Sequence, residues 1–352
     1  MKIRSKLATT VVLAVTAISA SSCSSIVNPG GGDDTLTVYS NSVSDGRGDW
    51  LKEQAEKEGI KLQFVDLGGG DLYNRLVAEK ANPQADVMFG LNEVYVRKLK
   101  EQDVLASDKP DWADKVDASE ADSDGTFWPL IKEPIMMVQN DGAFPNKADA
   151  PKDWSSLWTD PAFKNRYEVP ASLGGATNQM VMTSILNRNV DPQGKLGISD
   201  EGWKNLEMFY KNGNPAEQGV DLYARMKNGQ VVAGPMWLTG KISREQQYGI
   251  KSSPIPSKDG IPILHGYISE IKGTKKQELA EKFINWFGSG EVQGEWSKKF
   301  GTAPSNSEAR EKGDKQIVEF VDSFKQQDIN WDFVAKNLDA WVEEATLKYL
   351  NQ

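Results

Sequence analysis

Lys61–Phe89 reads KLQFVDLGGGDLYNRLVAEKANPQADVMF, and this stretch decides the fold class. Lys61–Val65 is short, apolar and β-branched enough for a strand. Gly68-Gly69-Gly70 breaks it, Asp71–Lys80 has the spacing of a helix, and Asp86–Phe89 is a second strand. A strand, a helix and a strand at this spacing form a right-handed βαβ unit, whose strands must run parallel. The pattern continues outward. Leu36–Ser40 is a strand before it, followed by a helix at Asp49–Glu58 that ends at Gly59, and Glu93–Gln102 is a helix after it. In such a sheet a ligand sits beyond the carboxyl ends of the strands, where helix N-termini present unpaired N–H groups.

Further along, Pro134–Gln139 (PIMMVQ) and Ile263–Ile268 are apolar strand-like runs. Between them lie helical patterns at Asp153–Trp158, Asn178–Asn187, Asp200–Lys211 and Asp221–Lys227, with strand-like Val231–Ala233 and Ile250–Ile255. From Lys275 onward the chain reads as almost entirely helical. The two runs are therefore the natural crossings between an outer lobe, 35–134 plus 268–352, and a middle lobe, 138–263. The hinge strands are 134–139 and 263–268. Two lobes on two strands make a cleft that can close.

The N-terminus sets the compartment. Lys2, Arg4 and Lys6 precede the uncharged run Leu7–Ala20, and Ala20-Ser21-Ser22 precedes Cys23. That is a signal peptide over 1–22 and not a membrane span. Cys23 is the only cysteine, so no internal disulfide is possible, and its position is that of a lipid-modified residue. Ala20 stands where such sites usually carry Leu, Val or Ile. Residues 23–34 then form a polar, Gly-rich tether. Removing 1–22 leaves 38 basic and 50 acidic residues, a net charge of −12 that argues against nucleic acid as a partner.

From Leu36 onward the chain resembles the family 1 extracellular solute-binding proteins, which hold ferric iron, thiamine, polyamine and phosphonate binders. Val38-Tyr39-Ser40, Asp45-Gly46 and Trp50 are similar to the first strand and loop of 2-aminoethylphosphonate-binding proteins. Arg75 with Leu76–Phe89 matches the family segment R-L-x-x-E-x-x-N-P-x-A-D-V. Asn285-Trp286-Phe287, Gly301–Pro304 and Asn330-Trp331-Asp332 resemble its later helices and loop. The resemblance implies an α/β, two-lobe, periplasmic-binding-protein-like (type II) fold with a hinge and interlobe cleft. It also implies a non-catalytic, cofactor-free, monomeric subunit that serves the permease and ATPase of an ABC importer. Its place would be extracytoplasmic, on the membrane only through the lipid.

The candidate ligand residues follow the loops. Gly69 and Gly70 offer amides after the second strand, or equally a tight turn needing positive φ. Ser172, Gly175, Ala176 and Thr177 lie in SLGGATN, which resembles the family's anion-facing loop; the same stretch serves as a helix cap. Ser42 and Asp45 follow the first strand, and Asn92 with Glu93 follows the third. A carboxylate in either loop could meet an ammonium or cap a helix. Trp237 and Thr239 occupy the place where iron-binding members carry adjacent tyrosines, and no two tyrosines are adjacent in this chain. Ferric iron wants hard oxygen donors, so that absence counts against it. Thiamine is weakened because Val220 and Thr302 stand where the family stacks it between aromatics. His265, the only histidine, reads as structural.

The expectation is an anionic or zwitterionic solute between two facing helix ends, at Gly68–Gly70 and at Ser172–Asn178. A secreted hydrolase is the competing class, but there is no G-x-S-x-G elbow and no His/Cys cluster for a metal site. A surface adhesin would carry repeats or a stalk, and the chain has neither.

Overall fold

The structure, a computed structural model, describes residues 34–350. The stretches read from sequence as signal peptide, Cys23 and all of the tether but Asp34 lie outside the described residues. Among the described residues no helix is long and apolar enough to cross a membrane.

The first third follows the βαβ reading. Strand β1 (Thr35–Ser40), helix α1 (Arg47–Lys57), β2 (Lys61–Asp66), α2 (Gly69–Glu79), β3 (Val87–Phe89) and α3 (Glu93–Glu101) succeed one another. β1 lies between β2 and β3, parallel to both, with Val38 opposite Phe64 on one side and Val87 on the other. The alternating side chains of β1 feed two cores. Leu36 and Val38 pack with Leu51 and Phe283 on one face, and Tyr39 packs with Leu72 and Leu76 on the other. Every one of these side chains except Leu76 is fully buried.

β4 (Trp128–Asn140) is the longest strand and changes sheets along its length. Then come α4 (Ser156–Thr159), β5 (Glu168–Val169), α5 (Ala176–Asn187), β6 (Val190–Lys195), α6 (Asp200–Asn212), β7 (Asn214–Pro215) and α7 (Leu222–Lys227). They are followed by β8 (Ala233–Trp237), α8 (Leu238–Tyr248), β9 (Ser252–Pro254) and β10 (Ile263–Glu270). The first half of β4 pairs antiparallel with β10, from Trp128↔Ile268 to Pro134↔Ile263. The second half pairs with β8 and β9, from Ile135↔Trp237 to Asn140↔Ser252. β10 in turn pairs antiparallel with β3, so β4 and β10 tie the parallel sheet to the segment between them. The change of partner falls between Pro134 and Ile135.

The sequence reading placed a strand at Val231–Ala233 with Trp237 beyond it; the strand is Ala233–Trp237, and Trp237 is its last residue. Helix α8 had no counterpart in that reading. LTGKISREQQY carries Thr239 and Gly240 in its first turn, which disfavour a helix, and its packing against β4 and β8 supplies the stability.

The helical end comprises α9 (Gln277–Phe287), α10 (Gly290–Phe300), short β11 (Ala303–Pro304), α11 (Ser307–Lys312), α12 (Lys315–Asp322) and α13 (Trp331–Ala345). α13 departs from the expectation that everything after 268 belongs with the outer half. Val334, Leu338 and Trp341 join the core of the middle segment, and Trp341 Nε1 donates to the Leu196 carbonyl at 3.0 Å. The same helix reaches α3 through Asp332–Arg97 and Asp339–Lys98, both at 2.8 Å. It straps one half to the other.

Candidate ligand cleft

A cleft of about 1060 Å³ opens between the β1–α1 loop and α10 on one side and α5, β8 and α8 on the other, with β4 at its base. Seven of the residues singled out from sequence line it: Ser42, Asp45, Gly175, Ala176, Thr177, Trp237 and Thr239.

The α5 end is built to stay open. Its N-cap is Gly175, with no side-chain acceptor and no acidic residue in the first turn. The first-turn amides of any helix lack intrahelical partners. Here the neighbouring polar side chains bond elsewhere: Asn178 Nδ2 donates to the Ser172 carbonyl at 3.1 Å, and Gln179 Nε2 to the Leu173 carbonyl at 2.8 Å. Leu173 is buried and anchors the loop. A Cβ on Gly174 or Gly175 would meet only open space. The result is a positive dipole end facing the cleft.

On the opposite wall, Ser42 takes its place because Gly90 makes room. Gly90 has φ of 104°, and a Cβ there would sit 2.4 Å from both Asn41 Oδ1 and Ser42 Oγ. Asp45, also at positive φ, is exposed and pairs with Arg47 at 3.5 Å. Arg47 lies 5.4 Å from the centre of the Phe300 ring. Across the cleft Arg244 sits 4.8 Å over Trp237 and pairs with Asp221 at 3.0 Å. Guanidinium on an aromatic face is held in position while its edge remains a donor.

Four sequence candidates lie elsewhere. Gly69 is packed in, a Cβ being 3.2 Å from Tyr95 and 3.4 Å from Asn41, and Gly70 lies beside the Tyr95 hydroxyl. Neither is at positive φ, so the tight-turn alternative fails as well. Asn92 is the N-cap of α3, its Oδ1 accepting from the Val94 and Tyr95 amides at 3.2 and 3.4 Å. Ser172 is exposed outside the lining. The two-helix-end expectation therefore keeps only the α5 end.

Glu93 does not face a ligand. It is buried and accepts from His265, from the backbone N and from Nδ1, both at 2.8 Å. His265 Nε2 lies 3.2 Å from Glu120, which also pairs with Lys132. Burial alone would lower the imidazole; Glu120 and Glu93 outweigh it and hold His265 up at about 9. The cluster ties α3 and the loop at Glu120 to His265 on β10.

Sequence reasoning missed Glu133, Arg47, Arg244 and Lys298, all of which line the cleft. Glu133 left a signal, being a charge set directly before the apolar run Pro134–Gln139 in a strand. It is half-buried, and its Oε1 accepts from the Thr239 amide at the start of α8, at 3.2 Å. Burial pushes its carboxyl up to about 7, against the pull of the Thr239 and Leu238 amides and of Arg47. No tyrosine lines the cleft, and among the described residues no group of three His, Cys, Asp or Glu side chains could hold a metal ion.

The chain is 32% identical over 318 residues to a probable ABC transporter periplasmic-binding protein of Sinorhizobium fredii, covering 90% of this chain and 86% of that one. It is 24% identical to a putative 2-aminoethylphosphonate-binding periplasmic protein of Salmonella typhimurium, over 89% and 91% of the two chains. Its fold superimposes with a TM-score of 0.74 on the apo ferric ion-binding protein A of Pasteurella haemolytica, at 17% identity and covering 91% and 99%. The architecture is that of the two-lobe periplasmic binding proteins. Residues 49–321 match the family described as bacterial extracellular solute-binding protein, and the chain belongs to that family.

Proposed function

We propose that this protein is the solute-capturing component of an ABC importer and takes a small anionic or zwitterionic solute bearing a phosphonate or phosphate group. The observation that carries the reading is the uncapped α5 N-terminus opening on the cleft, without an acidic residue in its first turn. One helix end contributes up to about 2 kcal/mol toward a partly buried anion. Charge-assisted hydrogen bonds add roughly 1.5–3 kcal/mol each. Three such terms reach the roughly 8 kcal/mol of micromolar binding. The relative named for 2-aminoethylphosphonate supports the same class. Outer-lobe segments 35–134 and 268–352 and middle-lobe 138–263 would close on the solute about hinge strands 134–139 and 263–268, with α13 spanning both.

Ferric iron is the second reading, favoured by the ferric ion-binding structural relative and opposed by the absence of tyrosine from the cleft lining. Calorimetry on the mature protein separates the two. The expected result is micromolar binding of 2-aminoethylphosphonate and none of ferric citrate; ferric binding without phosphonate heat overturns the proposal. A capture protein returns its solute, which should be recovered chemically unchanged.

The membrane attachment is a separate prediction. Cys23 in its position after Leu7–Ala20 is proposed as the acylated residue of the mature N-terminus. Cys23→Ala should yield a folded protein that is either released or still carries residues 1–22, read by fractionation and mass. Equal membrane retention of processed wild type and variant would rule out the lipid.

A further inference from the structure

Every carboxylate lining the cleft but one is already committed. Asp45 pairs with Arg47, Asp221 with Arg244 at 3.0 Å, and Glu168 with the fully buried Arg225 at 2.7 Å. Asp314 caps α12, accepting from the Gln316 and Ile317 amides. Glu133 has no cationic side chain within ion-pairing distance among the described residues; its carboxylate accepts from the Thr239 amide, with the Leu238 amide beside it.

Glu133 also removes the second helix end from use by an anion. Its carboxylate already sits at the start of α8, where Trp237 supplies no side-chain cap. A second anionic group placed there would meet a like charge. The cleft thus has one end that favours an anion, at α5, and one that favours a cation or strong donor, at Glu133. The half-burial of Glu133 on the strand crossing explains its elevated carboxyl, and a ligand ammonium would restore its charged form.

We infer that Glu133 is the cation-anchoring residue of the cleft, and that the solute is a zwitterion with its ammonium at Glu133 and its anionic head at the α5 N-terminus. This deepens the proposed function and rests on it. It also reassigns the ammonium partner, since Asp45 and Glu93, the two carboxylates singled out from sequence, are held by Arg47 and His265.

The test compares 2-aminoethylphosphonate with ethylphosphonate, which differ in the amine, on wild type and Glu133→Gln. Wild type should prefer the amine by roughly 10- to 100-fold, the range of a hydrogen bond to a charged group. In Glu133→Gln the gap should shrink to within about threefold, with ethylphosphonate bound equally or more tightly because an anion has gone from the cleft. Glutamine still accepts from the Thr239 amide, so the fold is retained; the wild-type comparison needs no variant in any case. Equal affinities in wild type, or a gap kept by Glu133→Gln, would overturn the Glu133 assignment and leave the phosphonate reading standing. Binding of neither compound overturns both.

Discussion

Gly175→Asp is expected to bind an anionic solute at least about 100-fold more weakly while melting slightly above the wild type. The two effects have one cause. Gly175 is the N-cap of α5, at φ −95° and ψ 145°, a conformation any residue adopts, and a Cβ there meets nothing within 4 Å. An aspartate would fold its carboxylate back onto the first-turn amides, as N-cap aspartates do. Relative to glycine that gains a few tenths of a kcal/mol, with a further 0.3–1 kcal/mol or so from the helix dipole. The same carboxylate occupies the proposed anion position and repels its ligand. Losing about 2 kcal/mol of helix-end attraction and adding like-charge repulsion exceeds the roughly 2.7 kcal/mol that corresponds to 100-fold. Calorimetry with 2-aminoethylphosphonate and a thermal melt read the two arms. A variant that melts higher and binds as tightly as wild type would place the anion elsewhere.

Stability should fall by about 3 kcal/mol as pH rises from about 6.5 to about 9, because of His265. Its folded-state value, held up at about 9, lies above the unfolded value of about 6.5. A raised value means the folded state binds the proton more tightly. Its contribution is complete below about 6.5 and lost as pH rises through about 9. At 1.36 kcal/mol per pH unit the difference is of order 3 kcal/mol. That is a large part of the 5–15 kcal/mol typical of a folded protein. The groups facing the ring are Glu93 from α3, Glu120 with its partner Lys132, and Tyr267 beside it on β10. Burial pushes Glu120 upward, but His265 and Lys132 prevail and hold it at about 2. His265→Leu should therefore cost roughly 3–5 kcal/mol by stranding buried carboxylates, and should lose the alkaline slope. Urea midpoints at pH 6 and pH 9 decide it; a wild-type midpoint that does not move would show that the folded protein holds the proton no more tightly than the unfolded chain.

How legible the molecule was depended on the range of the interaction. Strands β1 to β3 and helices α1 to α3 fall within a few residues of their expected bounds, since a period of two against 3.6 is written locally in side-chain polarity. The small-residue run before α5 was legible too, as a local signature, but the helix starts at Ala176 and not at Asn178, and its lack of a side-chain cap was not legible. Asn92 and Glu93 are adjacent in sequence and alike in type, yet one caps its own helix and the other reaches a histidine 172 residues away. Only long-range packing separates those outcomes.

By itself, then, the sequence determined the parallel βαβ frame, which follows from residue type and spacing, and marked the small-residue run before α5 without deciding whether that end is capped. The tertiary structure decided which carboxylate is left for a ligand. Asp45, Glu168 and Asp221 have ion-pair partners, Asp314 caps a helix, and Glu133, bonded to the Thr239 amide, has no ion-pair partner among the described residues. Whether a charge is spent or available depends on which side chains come within about 4 Å of it, and chain order does not encode that distance.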